Sequence, residues 1–262
     1  YTTKANLTKA FNNSKVKTIM LQEKISSGSY DLNKFLYGGY ESDIITTIYG
    51  PGGSGKSNLC MIVATSLAKK GKKVFFIDTE GGFSTERFKQ IHRGEKEEIE
   101  NDLQNIFLLK PTSFEEQEQA FQKLLAHLKK ETVSLIIIDS IAMLYRLELG
   151  SAISSKDSEK ISDVNRNLAN QLRTLNEIAR KKNIPVVITN QVYASFQEEN
   201  SASEKKVSMV GGDLLKYWSK CLIELSGNNF KRKITLQKHR SLPVKNFNFE
   251  IINSGIRKKG MF

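Results

Sequence analysis

Eight consecutive residues, Gly50-Pro51-Gly52-Gly53-Ser54-Gly55-Lys56-Ser57, set glycines, a lysine and a hydroxyl in the order G-x-x-x-x-G-K-[ST]. Chemistry follows from that order. Glycines let backbone N–H groups turn inward onto anionic oxygens, and a helix starting directly afterwards adds the positive end of its dipole. Lys56 can then reach the β- and γ-phosphates of a nucleoside triphosphate, and Ser57 can ligate Mg²⁺. The expected nucleotide-binding set is Gly50, Pro51, Gly52, Gly53, Ser54, Gly55, Lys56, Ser57 and Asn58, with ATP and Mg²⁺ as the cofactors.

Three further apolar runs end in groups that suit the same chemistry. Leu135-Ile-Ile-Ile-Asp139 closes with a carboxylate, the form taken by the acid that holds Mg²⁺ through water, so Ser57 and Asp139 form the expected metal set. Val74-Phe-Phe-Ile-Asp-Thr-Glu80-Gly-Gly82 closes with acids and two glycines, which lets Glu80 face the γ-phosphate and orient an attacking water. By position alone, a loop glutamate such as Glu80 is more often a solvated surface acid. Val186-Val-Ile-Thr-Asn-Gln191 presents an amide at a strand end, suited to sensing the γ-phosphate through hydrogen bonds. Lys56, Glu80 and Gln191 are thus the candidate catalytic residues.

These groups need a scaffold that gathers strand ends. Strands are expected at Ile44–Tyr49, Val74–Asp78, Ile106–Leu109, Leu135–Asp139 and Pro185–Thr189. Helices are expected between them at about 57–70, 84–92, 113–130 and 158–182, the third opened by Ser113-Phe-Glu-Glu116 and the fourth stopped by Asn183 and Pro185. Such alternation describes an α/β fold with a mostly parallel sheet and helices on both faces, in which ligands collect at the carboxyl ends of strands. After Gly211 the texture changes to Cys221–Leu225, Ile234–Gln237 and Phe247–Ile252, an expected antiparallel meander at one edge. We read residues 1–24 as a basic extension and 25–262 as one domain.

Of 262 residues, 39% are hydrophobic, enough to bury a substantial core. Cys60 and Cys221 lie far apart in apolar runs, matching neither a disulfide framework nor zinc-ligand spacing. With no signal-like segment and no apolar stretch approaching a membrane span, a cytoplasmic setting is expected. The net charge of +12 is unevenly spread: residues 1–20 contribute +4, residues 216–262 contribute +9, and the remainder is close to neutral. Clustered cations of this kind suit nucleic-acid phosphates, although solvated basic termini would have the same composition.

Taken together, Ile25-Ser-Ser-Gly-Ser29, Gly38-Gly39, Gly50–Ser57, Asp78-Thr-Glu-Gly-Gly-Phe-Ser-Thr-Glu-Arg87, Leu135–Ser140 and Ile188-Thr-Asn-Gln-Val192 resemble the RecA/RadA recombinase family over about residues 25 to 252. Thr79-Glu-Gly-Gly-Phe-Ser84, Leu215-Lys-Tyr-Trp-Ser-Lys220, Lys238-His-Arg240 and the lack of a helix-hairpin-helix segment are similar to an archaeal recombinase-paralogue branch. The resemblance implies a RecA-like P-loop ATPase core that binds DNA, single-stranded DNA being favoured. It further implies slow hydrolysis and support of homologous recombination and repair beside a main recombinase. Glu80 then becomes the catalytic glutamate and Gln191 the residue coupling nucleotide to DNA-facing loops.

The family's DNA loops would fall at about 145–160 and 192–211, but their charges sum here to 0 and −1. The preferred DNA surface is therefore Lys231, Arg232, Lys233, Lys238, His239 and Arg240. Lys238-His239-Arg240 also fits a basic finger reaching a neighbour's γ-phosphate, which would require head-to-tail homo-oligomers. Phe11-Asn-Asn-Ser14 partly resembles the family's subunit-tethering F-x-x-A motif, with Ser14 replacing the alanine. Tyr217 and Trp218 are more consistent with core packing than with base stacking. The alternative function is a KaiC-like regulatory ATPase that assembles with proteins and does not bind DNA.

Overall fold

The computed structural model describes residues 23–194, 207–227 and 231–260. In chain order the elements are β1 (Lys24–Ile25), α1 (Tyr30–Phe35), β2 (Tyr40–Glu41), β3 (Ile45–Gly50), α2 (Lys56–Ala68), β4 (Val74–Asp78), α3 (Thr85–His92), α4 (Lys96–Leu103), β5 (Ile106–Leu109) and α5 (Phe114–Lys130). There follow β6 (Leu135–Asp139), α6 (Met143–Ser154), α7 (Ser158–Lys182), β7 (Val186–Ala194), β8 (Val207–Met209), α8 (Gly212–Trp218), β9 (Ser219–Gly227), β10 (Arg232–His239), β11 (Lys245–Ile252) and β12 (Gly255–Lys258).

Ten strands form one sheet in the order β12-β11-β10-β9-β3-β7-β6-β4-β5, with β8 paired to β7. From β9 to β5 every neighbouring pair is parallel, and β9 to β12 run as an antiparallel meander. Alternation along the central strands explains the layers. Leu135 and Ile137 of β6 join Val74 and Phe76 of β4 in a core shared with α1, α2 and the meander. Ile136 and Ile138 join Phe75 and Ile77 in a second core beneath α5, α6 and α7. Burying both faces is what an internal parallel strand requires, and it is why these strands read as unbroken apolar runs.

Helix starts follow local hydrogen-bond chemistry. Ser84, Ser113 and Asp157 precede α3, α5 and α7, and their side chains accept from Arg87, Glu116 and Lys160 backbone N–H groups. Cys60 and Cys221 are both buried and unpaired, as core residues. Among the described residues, no helix is long and apolar enough to cross a membrane.

One expectation is overturned here. The proposed DNA loop at 145–160 is α6 followed by the first turn of α7, with Leu144, Tyr145 and Ala152 packed inward. Met143-Leu-Tyr-Arg-Leu-Glu-Leu149 consists largely of good helix formers, a preference hidden because its apolar residues surround the helix rather than forming one stripe. In the second proposed loop, β7 continues to Ala194 and pairs with β8, while residues 195–206 lie outside the described residues. Phe11–Ser14 lies outside them as well.

Candidate functional site

β3 lies in the middle of the sheet between β7 and β9, and the glycine-rich turn leaves its carboxyl end. The departure depends on Gly50, where an added Cβ would sit 2.2 Å from the Leu225 carbonyl oxygen. Gly55 ends the turn at a φ of 108°, a left-handed conformation that glycine adopts without steric cost, and α2 begins at Lys56. The Lys56 ammonium is buried and donates to the carbonyls of Gly50 and Pro51, both at 2.9 Å. Burial lowers its pKa, while Glu80 and Asp139 oppose that shift through their negative charge.

The register of β4 with β6 puts Asp78 opposite Asp139 at the strand ends beside the loop. Asp139 is fully buried; its Oδ1 accepts from the Thr189 hydroxyl, and its Oδ2 has no hydrogen-bond partner. Burial raises the Asp139 pKa, whereas the Ser57 and Thr189 hydroxyls pull it back and the charges of Glu80 and Asp78 add to the rise. A Cβ placed on Gly82 would stand 2.8 Å from Ser57 Oγ and 3.2 Å from Asp139 Oδ2, so both oxygens border one small gap that a side chain would fill. A buried carboxylate oxygen without a donor, next to a hydroxyl, fits the hard-oxygen donors that Mg²⁺ takes.

Glu80 enters from the next strand end. Asp78 fixes the turn that carries it, accepting from Gly82 N at 2.9 Å and Phe83 N at 3.0 Å. Thr79 locks the turn to β6 through N–H to the Asp139 carbonyl and a hydroxyl to the Ser140 carbonyl, each at 2.8 Å. Gln191 Nε2 donates to Glu80 Oε1 at 3.0 Å. Lys56, Ser57, Glu80, Asp139 and Gln191 are therefore brought to one edge of the sheet. Asn58 is on its flank, where its side-chain oxygen accepts from Arg87 Nε at 2.7 Å. Sequence reasoning did not single out Asp78, Thr79, Gly82 or Thr189. The available signal was their position at the ends of strands already assigned to the site.

The basic residues divide. Lys231, Arg232 and Lys233 lie at the β9–β10 tip, with Arg232 opposite Gly227, on the same edge as the glycine-rich turn. Lys238, His239 and Arg240 end β10 on the opposite edge, about 25 Å away along an eight-residue strand. The six do not form one contiguous surface. Arg240 donates to Glu41 Oε2 and Asp43 Oδ1, both at 2.7 Å, so its charge is compensated within the chain. Lys238 donates to the Lys216 and Ser219 carbonyls at 2.7 and 2.9 Å. The His239 ring is buried with Nε2 3.5 Å from Glu41 Oε1, and burial lowers its pKa. Trp218 packs against the second core, while Tyr217 remains exposed.

Comparison with known proteins adds ancestry to this geometry. The sequence model of the Rad51 family matches residues 17–259. The chain is 40% identical over 230 residues to a protein of Methanobrevibacter smithii named DNA repair and recombination protein RadB, covering 86% of this chain and 92% of that one. Proteins of the same name from Methanococcoides burtonii and Methanocaldococcus jannaschii are 38% and 40% identical, over 92% and 86% of this chain and 100% and 98% of theirs.

Proposed function

The chain belongs to the Rad51 family, and on that premise we propose that it is an ATP- and DNA-binding recombinase paralogue acting in homologous recombination and DNA repair. Its hydrolysis of ATP is slow and Mg²⁺-dependent. One observation carries the catalytic part: Ser57 Oγ and the unpartnered Asp139 Oδ2 border the same gap, with Glu80 and Lys56 beside it.

In this reading Lys56 gives its hydrogen bonds to phosphate oxygens in place of the Gly50 and Pro51 carbonyls. Ser57 and Asp139 are the residues that would hold Mg²⁺. The metal, when bound, neutralises charge on the phosphates. Gln191 fixes one oxygen of Glu80, leaving the other to orient the attacking water and accept its proton. Because Gln191 also begins the stretch leading to β8, it is placed to link the state of Glu80 to residues beyond β7. Lys231, Arg232 and Lys233 are the proposed single-strand contact, and a main recombinase and further copies of the chain are the proposed partners.

The test pairs ATP hydrolysis with binding of a labelled single strand. Glu80→Gln should retain ATP affinity and lose about 10²- to 10⁴-fold in hydrolysis. A Lys231/Arg232/Lys233 triple alanine variant should bind the strand more weakly and show a flatter salt dependence. No strand binding by wild-type protein at low salt would instead favour a regulatory ATPase that assembles with proteins. Unchanged hydrolysis in Glu80→Gln would overturn the assigned base.

A further inference from the structure

The edge where the parallel strands begin, opposite the glycine-rich turn, carries a row of cations. Lys72 precedes β4, Lys130 ends α5 ahead of β6, and Lys182 ends α7 ahead of β7. Lys220 lies at the start of β9, Lys238 at the end of antiparallel β10 and Lys245 at the start of β11. From β4 to β11 the sheet order has six inter-strand steps, a span of roughly 29 Å at ordinary strand spacing.

Two shallow concavities follow this edge. Lys72, Lys73 and Lys130 line one of about 560 Å³, and Arg180, Lys220 and Arg240 line another of about 400 Å³. Three acids of the edge are already engaged, Glu131 by Lys73, and Glu41 and Asp43 by Arg240, while Glu23 accepts from the Asn183 side chain at 2.6 Å. Among the described residues, Lys72, Lys130, Lys182, Lys220 and Lys238 make no ion pair. The charge of Lys220 adds to burial in lowering the pKa of Lys238, so neighbouring cations are close enough to repel.

Lysines at helix ends favour the helix dipole, which accounts for Lys130 and Lys182 individually. It does not account for Lys72, Lys220 or Lys238, which lie outside the last turns of those helices, or for one row spanning six steps. We propose that this strand-start edge binds the phosphate backbone of duplex DNA without reading its sequence. The inference rests on the DNA-binding function proposed above and adds a second surface to the hairpin tip. Duplex is favoured over single strand because single-strand sites need a series of stacking rings. Here the rings lining the 400 Å³ concavity are Tyr217 and Trp218 alone, with Trp218 packed against the second core, and Lys245 covers the Tyr37 ring at 4.2 Å.

The test measures anisotropy of a labelled duplex of roughly 30 base pairs, and of a single strand of the same length, across a salt series. A Lys72/Lys130/Lys182/Lys220 quadruple alanine variant should lose about 3 to 4 units of the duplex salt slope, at about 0.9 per phosphate contact. Its ATP affinity and single-strand binding should remain as in wild type, with at most a small drop in melting midpoint from the lost helix-end charges of Lys130 and Lys182. The hairpin triple variant should retain the duplex slope. An unchanged duplex slope in the quadruple variant, or its loss in the hairpin variant, would overturn the second surface. Single-strand binding without duplex binding would defeat this inference alone, whereas binding of neither would defeat the DNA-binding function as well.

Discussion

Burial makes the charge of Asp139 costly, and the Ser57 and Thr189 hydroxyls offset part of that cost. Burial raises its pKa, so the native state holds this proton more tightly than the unfolded chain does. Its contribution to stability is therefore greatest at low pH and declines as pH rises through the native pKa. Asp139→Asn should consequently raise the melting midpoint of nucleotide-free protein at neutral pH, by roughly 2–4 °C, while removing the Mg²⁺ dependence of ATP binding. A lower midpoint in calorimetry would contradict a net cost of charging Asp139 in the folded protein. Gly82→Ala tests the neighbouring gap: its methyl would meet Ser57 and Asp139, so Mg²⁺-dependent affinity should fall while the fold is retained. Lys56, Ser57 and Asp139 were legible because residue type and order suffice for a phosphate loop and an acid-tipped strand. Thr189 and Gly82 were not, since their importance comes from standing beside a carboxylate 50 or more residues away in sequence.

At the scale of elements, strands were legible as short apolar runs, in β4 and β6 because both faces are buried and in β5 although it is a half-buried edge strand. β4, β5 and β6 have the boundaries read from their apolar runs. α4 and α6 were not legible: the first is short and polar, and the second lacks a single apolar stripe. The meander is tied to the nucleotide edge by Arg87, which donates to Asn58, to the Ile252 carbonyl at 2.8 Å and to the Asn253 carbonyl at 3.1 Å. Removing it leaves two turn carbonyls of the meander without their donor. Arg87→Ala should lower stability by about 1–3 kcal/mol in denaturant unfolding, a loss typical of hydrogen bonds to a charged group. A change under about 0.5 kcal/mol would show that the β11–β12 turn is held by packing alone.

Across the whole molecule both edges of the sheet carry cations: the hairpin tip lies beside the acids of the glycine-rich-turn edge, and a row of lysines follows the strand starts. The uneven charge of the chain was visible in the sequence, but not its division between two edges, because β10 carries adjacent basic clusters to opposite ends. At the strand-start edge, Glu41 is buried against Lys24, His239 and Arg240. Burial lowers the His239 pKa from its ordinary 6.5, so the unfolded chain takes up a proton that the native ring resists. Stability is therefore retained above about pH 6.5 and should fall as pH drops below it. His239→Gln should flatten that part of a melting-midpoint profile against pH.

The grip of the turn on a triphosphate is tested most directly by calorimetric titration of Mg·ATP into wild-type protein and into Lys56→Ala. Wild type should bind ATP and lose affinity when the metal is chelated, and the variant should bind about 10- to 150-fold more weakly, the equivalent of losing a charged hydrogen bond. Equal affinity in the two proteins would contradict the assignment of residues 50–57 as the nucleotide site.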